Sequence, residues 1–173
     1  MDLYEPFLPA AARFDPAPVV ALHSSGASSK QWQRVRTALG RRAALIAPDF
    51  HGHGTAPAWY GAARDIAAAD VGIALRELDA IGRPVHLVGH SYGGAIALDV
   101  ALRRPRLVRT LTLYEPVAFG WLLGYNARHA PAREIVGVGR AIGRRVRRGE
   151  VDEAARLFVS YWSGPAAWDA MAA

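Results

Sequence analysis

The chain has 173 residues, 51% hydrophobic and 21% charged, with a formal net charge of +6 and no cysteine. That length suits one domain with a real core, and the lack of cysteine excludes disulfide and thiolate chemistry. The charge excess is arginine, with Lys30 the single lysine; apart from Arg140, Arg144, Arg145, Arg147 and Arg148 it is spread along the chain, which reads as solvated surface rather than a nucleic-acid face.

The N-terminus lacks the basic and apolar segments of a signal peptide, and no apolar run is long enough to span a bilayer. Neither nucleic acid nor a membrane is expected as a partner, and the cytoplasm is the expected location. Residues 1–16 read as an irregular arm. A buried strand is predicted over 18–23, then a Ser- and Gly-rich loop over 24–29. A helix over 30–39 places Trp32, Val35 and Leu39 on one side, with Gly40 as its stop. A second strand over 43–47 ends at Pro48, and 49–55 form a glycine-punctuated loop. The strongest helical pattern runs over 65–81, where Ile66, Val71, Ala74, Leu75, Leu78 and Ile81 share a stripe and Gly82 closes it. A strand over 84–89, a helix to about Arg104 and a strand over 109–114 follow. Strands alternating with helices imply a parallel sheet covered on both faces. After Pro116 only helices are predicted: 133–148, with Ile135, Val138, Ile142 and Val146 on one face, and 151–162.

The third strand runs into Gly89-His90-Ser91-Tyr92-Gly93-Gly94 and then an Ala-rich helix. Strand, sharp turn and helix in that order hold a serine hydroxyl clear of both elements, beside the free N–H groups of a helix start. Small residues two positions either side of Ser91 let strand and helix approach. Ser91 is therefore the candidate nucleophile. Such a serine needs a base and an orienting acid, yet His129 is the only histidine after it.

Four landmarks stand in order: His23-Ser24-Ser25-Gly26, Pro48-Asp49-Phe50-His51-Gly52-His53-Gly54, the Ser91 turn, and Leu113-Tyr114-Glu115-Pro116. Together they resemble the α/β-hydrolase fold superfamily, in particular bacterial serine esterase-like members with a helical cap. The resemblance implies an α/β parallel-sheet sandwich over 17–116 with four recognisable strands, and a helical cap segment over 117–173. It implies Ser91 as nucleophile and an oxyanion hole made by the backbone N–H groups of Tyr92 and Ser25. The implied activity is hydrolysis of a small ester or related acyl substrate without cofactor or metal. The family's later strands, with their acid and histidine loops, have no counterpart after Pro116. The chain is thus expected to be a C-terminally shortened member, and the competing expectation is a non-catalytic remnant. An unpaired apolar edge on the fourth strand would favour self-association.

Other residues take supporting roles in this reading. His23 is expected to brace the oxyanion loop and His90 to stand behind the elbow. His51 and His53 are expected to stabilise their turn, and His86 to be a satisfied core histidine. Glu115 is a candidate triad acid because it follows the fourth strand. Trp121, Tyr125, Tyr161, Trp162 and Trp168 are expected to line an acyl pocket or to fill the cap. No metal-ligand spacing is evident, since His51-x-His53 has no suitable third ligand.

Overall fold

A computed structural model describes residues 17–126 and 128–171, and the arm expected at 1–16 lies outside them. The chain divides after Ala118 into two compact units. The first is built on a four-stranded parallel sheet of order β2-β1-β3-β4: β1 Val19–Leu22, β2 Leu45–Ile46, β3 Val85–His90 and β4 Val108–Tyr114. Between them run α1 (Gln33–Leu39), α2 (Ile66–Ile81) and α3 (Tyr92–Arg103).

Strand alternation sorts the core into two layers. On one face Val20 and Leu22 of β1 and Val85 and Leu87 of β3 meet Val71, Ala74 and Leu78 of α2, Ile96, Ala97 and Val100 of α3, and Phe50. On the other face Ala21, Trp32 and Leu45 form a smaller cluster with Val19, Leu39, Ala47 and Val88. That second cluster lies over β1 and β2. Over β4 the same face is polar: Thr110, Thr112 and Tyr114 are exposed, while His86, Val88 and His90 of β3 are half-buried. β4 pairs with β3 alone among the described strands, and its exposed row of Arg109, Thr110, Thr112 and Tyr114 is mixed rather than apolar.

Local differences have local causes. The stretch before α1 is a tight 3-10 turn over Ser29–Trp32, which breaks the 3.6-residue phase between Trp32 and α1. Trp32 is buried but Val35 is not, against the sequence expectation. β2 keeps only two residues, Leu45 and Ile46, in register with Val19 and Val20 of β1. His86 is half-buried, with its Nδ1 2.8 Å from Thr110 Oγ1; it is bonded but not core.

The second unit is helical: α4 Phe119–Asn126, α5 Ala130–Arg147, α6 Val151–Ser163 and α7 Pro165–Met171, with α5 packed on α6 and α6 on α7. Ile135, Val138 and Ile142 of α5 are half-buried, while Val146 is exposed. No described helix is long and apolar enough to cross a membrane.

Candidate active site

Ser91 joins β3 to α3 with φ 51° and ψ −115°. Among the described residues Glu115, at φ 47°, is the one other non-glycine residue with positive φ. Backbone held in such a region stores roughly 1–3 kcal/mol of strain. Four bonds hold it: the Ser91 N–H donates to the Tyr114 carbonyl (2.9 Å), and the Ser91 carbonyl accepts from Gly94 (2.9 Å), Ala95 (3.2 Å) and Val117 (3.2 Å). A Cβ on Gly89 would lie 2.4 Å from the Gly93 carbonyl oxygen, and one on Gly93 would lie 2.3 Å from that of Leu22. Strand, turn and helix meet backbone to backbone, so only glycine fits at either place. The Ser91 side chain does not cap α3 and has no hydrogen-bond partner among the described residues.

The close approach of Gly93 to the Leu22 and His23 carbonyls brings the loop after β1 against the elbow. Tyr92 heads α3, where N–H groups have no intrahelical acceptor. Ser25 lies in the turn after β1, and its N–H meets no acceptor among the described residues. These are the two amides expected to form an oxyanion hole.

The loop carrying Ser25 is tied down on three sides. His23 is fully buried; its Nδ1–H donates to the Ser24 carbonyl (2.8 Å) and its Nε2 accepts from the Phe50 N–H (3.0 Å). Both ring nitrogens are occupied, which fixes a neutral tautomer and removes His23 as a base. Burial pushes its pKa below the ordinary histidine value, against the pull of the Ser24 bond. Ser24 donates through both its N–H (3.0 Å) and its hydroxyl (2.9 Å) to Gln31 Oε1. The Asp49 carboxylate accepts from the Ser29 N–H (2.6 Å), the Thr55 N–H (2.9 Å) and the Thr55 hydroxyl (3.2 Å). Burial alone would raise the Asp49 pKa, but these bonds outweigh it and hold it down at about 2.

One group escaped the sequence reading. Asp70, on α2, is 1% exposed and accepts from the Tyr92 hydroxyl (2.7 Å), His51 Nδ1 (2.7 Å) and the His51 N–H (3.1 Å). Burial and this contact push the Tyr92 phenol pKa well up, so it stays a donor. The signal was available: Asp70 stands four residues from both Ile66 and Ala74, inside the apolar stripe, where a lone charge calls for partners.

The remaining candidates stand apart from one another. Glu115 is exposed, at the end of the strand that brackets Ser91, and has no ion pair or hydrogen bond among the described residues. The His90 ring lies against Tyr114, with centroids 4.9 Å apart. His53 Nδ1–H donates to the His51 carbonyl (2.8 Å), while the His51 ring bonds Asp70 on α2. His129 precedes α5 in the second unit and is exposed. Within that unit Phe119 stacks on Trp162 (6.0 Å) and Tyr161 meets Trp162 edge-on (4.8 Å). A groove of about 300 Å³ there is lined by Arg145, Glu153, Arg156, Leu157 and Ser160, and contains none of the aromatics expected to line an acyl pocket. The side chains of Trp121 and Tyr125 lie outside the described residues. Among the described residues no group of three His, Asp or Glu is placed to hold a metal ion.

Comparison with known proteins agrees with the fold. The chain is 38% identical over 102 residues to Lipase LipV of Mycobacterium tuberculosis, covering 58% of this chain and 38% of the relative. It is 34% identical over 137 residues to 2-hydroxymuconate semialdehyde hydrolase of a Pseudomonas species, covering 70% and 47%. The chain thus spans less than half the length of either. Among solved structures, an alpha/beta hydrolase fold protein from Burkholderia ambifaria superposes with a TM-score of 0.54 at 22% identity, over 75% of this chain and 52% of that one. A haloalkane dehalogenase from Bradyrhizobium elkani gives a TM-score of 0.52 at 28% identity, over 60% and 35%. The family pattern itself matches residues 19–173. With the sheet order, the elbow and this match in agreement, the chain belongs to the alpha/beta hydrolase family.

Proposed function

We propose that this chain carries the nucleophile half of a serine hydrolase, acting on a small ester or related acyl substrate through an acyl-enzyme. The observation that carries the reading is the strained backbone at Ser91, with a side chain left without a partner. Strain of that kind persists where the surrounding structure over-determines it, and it aims a hydroxyl at a site. The Ser91 oxygen attacks the acyl carbon, the carbonyl π electrons move onto its oxygen, and the Tyr92 and Ser25 amides receive that charge. Collapse expels the alkoxide, which takes up the proton lost from the Ser91 hydroxyl and leaves as the alcohol; water then attacks the acyl carbon, the bond to Ser91 Oγ breaks, and the acid departs with the water's hydroxyl while the water's other proton returns to Ser91 Oγ. Two fixed amides need no reorganisation as charge develops, and loss of one such donor typically costs about 100- to 1000-fold in rate. Glu115, the carboxylate next to the strand end that brackets Ser91, is a candidate for the acid. A lipase and a 2-hydroxymuconate semialdehyde hydrolase among the relatives support acyl or related carbon-centre chemistry.

A second reading, acyl binding without turnover, is favoured by one observation: no histidine is hydrogen-bonded to Ser91 among the described residues. Burst kinetics with an activated aryl ester separate the two. A burst of about one equivalent of phenolate per chain, lost in Ser91→Ala, supports the hydrolase. Phenolate release no faster than in buffer supports binding alone.

A further inference from the structure

Asp70 is the only carboxylate fully buried among the described residues. A buried carboxylate is costly unless its lone pairs are filled, and here three donors from two elements fill them. From α3 comes the Tyr92 hydroxyl, at 2.7 Å; from the loop after β2 come His51 Nδ1–H and the His51 N–H, at 2.7 and 3.1 Å. The path continues. The His51 carbonyl accepts from His53 Nδ1–H (2.8 Å), and His53 Nε2 accepts from the Gly26 N–H (3.4 Å). One end of this path is the residue after Ser91 and the other is the residue after Ser25. Those are the neighbours of the nucleophile and of the second oxyanion donor.

We propose that Asp70 is a positioning residue, which fixes the spacing of the Tyr92 and Ser25 amides by clamping the elbow and the 49–55 loop to one buried carboxylate. The claim rests on the reading of Ser91 as nucleophile. Packing alone gives no account of the arrangement. Phe50 already meets the Tyr92 ring edge-on at 5.4 Å, a contact that phenylalanine at position 92 would keep. The hydroxyl adds nothing to that contact; it adds a directional bond to α2. The longest link, Gly26 to His53, is the one expected to yield first.

The test uses Tyr92→Phe and Asp70→Asn, with Val100→Ala on α3 as a control that lowers stability without touching the network. Two quantities are read: amide hydrogen exchange at His51 and Gly26, and the rate of Ser91 phosphonylation by a fluorophosphonate. The expected result for both network variants is roughly tenfold faster exchange at His51 and Gly26, with Leu87 no faster than in Val100→Ala. Phosphonylation is expected to slow by about tenfold in the network variants and to be unchanged in Val100→Ala. Should Asp70→Asn fail to fold, Tyr92→Phe decides alone. Wild-type protein that reacts at Ser91, with Tyr92→Phe matching it in both readouts, overturns this inference and leaves the nucleophile standing. Wild-type protein that does not react overturns both.

Discussion

The two units of this chain are held together differently. The first buries Phe50, Leu22, Leu78, Leu87, Val20, Val85 and Val100 almost completely, and its two buried polar residues, His23 and Asp70, have their bonds filled. In the second, the fully buried apolar residues among those described are Ala132 and Ala154, while Val146, Val151, Trp162 and Met171 stand exposed. Both units show clear helical periodicity. The difference teaches that an amphipathic stripe records where a helix wants cover; how much cover it gets depends on what lies opposite. In the first unit a sheet lies opposite α2 and α3, and a sheet face offers a continuous apolar floor.

The sharpest way to break this comparison is a pair of truncations. Leu87→Ala is expected to cost about 2–5 kcal/mol in urea unfolding, through lost burial and the cavity left behind. Val146→Ala should fall within about 0.5 kcal/mol of wild type, as surface changes do. Equal losses would mean the second unit contributes as much to folding as the first. A smaller effect sharpens the picture within the first unit. Asp49 has its pKa held down at about 2, against the ordinary 3.8. Folding therefore gains stability above about pH 4 that is lost as pH falls toward 2, on the order of 2 kcal/mol. Unfolding measured between pH 5 and pH 2.5 should show that loss in wild type, and Asp49→Asn should lack this share of it. A gentler slope is expected from His23, whose pKa is lowered by burial. Its neutral form supports the fold above about pH 6.5, and that support fades as pH falls through the lowered value. His23→Gln should flatten the stability profile between pH 7 and 5; an unchanged slope would show that the buried ring is not the sensor.

The elbow was legible because its pattern is local. An apolar strand, a small–x–Ser–x–small turn and a helical run need no distant partner to be recognised, and the positive φ at Ser91 is what that pattern requires. The stop at Gly82 was legible for the same reason, a left-handed residue ending α2. What failed was non-local. Val35 looked inward by spacing, but the 3-10 turn shifted the phase and left it exposed. His86 looked like core, but it is half-buried beside the exposed Thr110 of β4. Asp70 was passed over because nothing in the local pattern announces a partner 19 or 22 positions away. A charge inside an apolar stripe was the trace it left.

The account depends on a reactive hydroxyl at residue 91, and peptide mapping after treatment with a fluorophosphonate tests that most directly. The predicted result is one adduct per chain, located on the peptide containing Ser91 and absent from Ser91→Ala. An unmodified chain, or an adduct on another residue that survives Ser91→Ala, would contradict it.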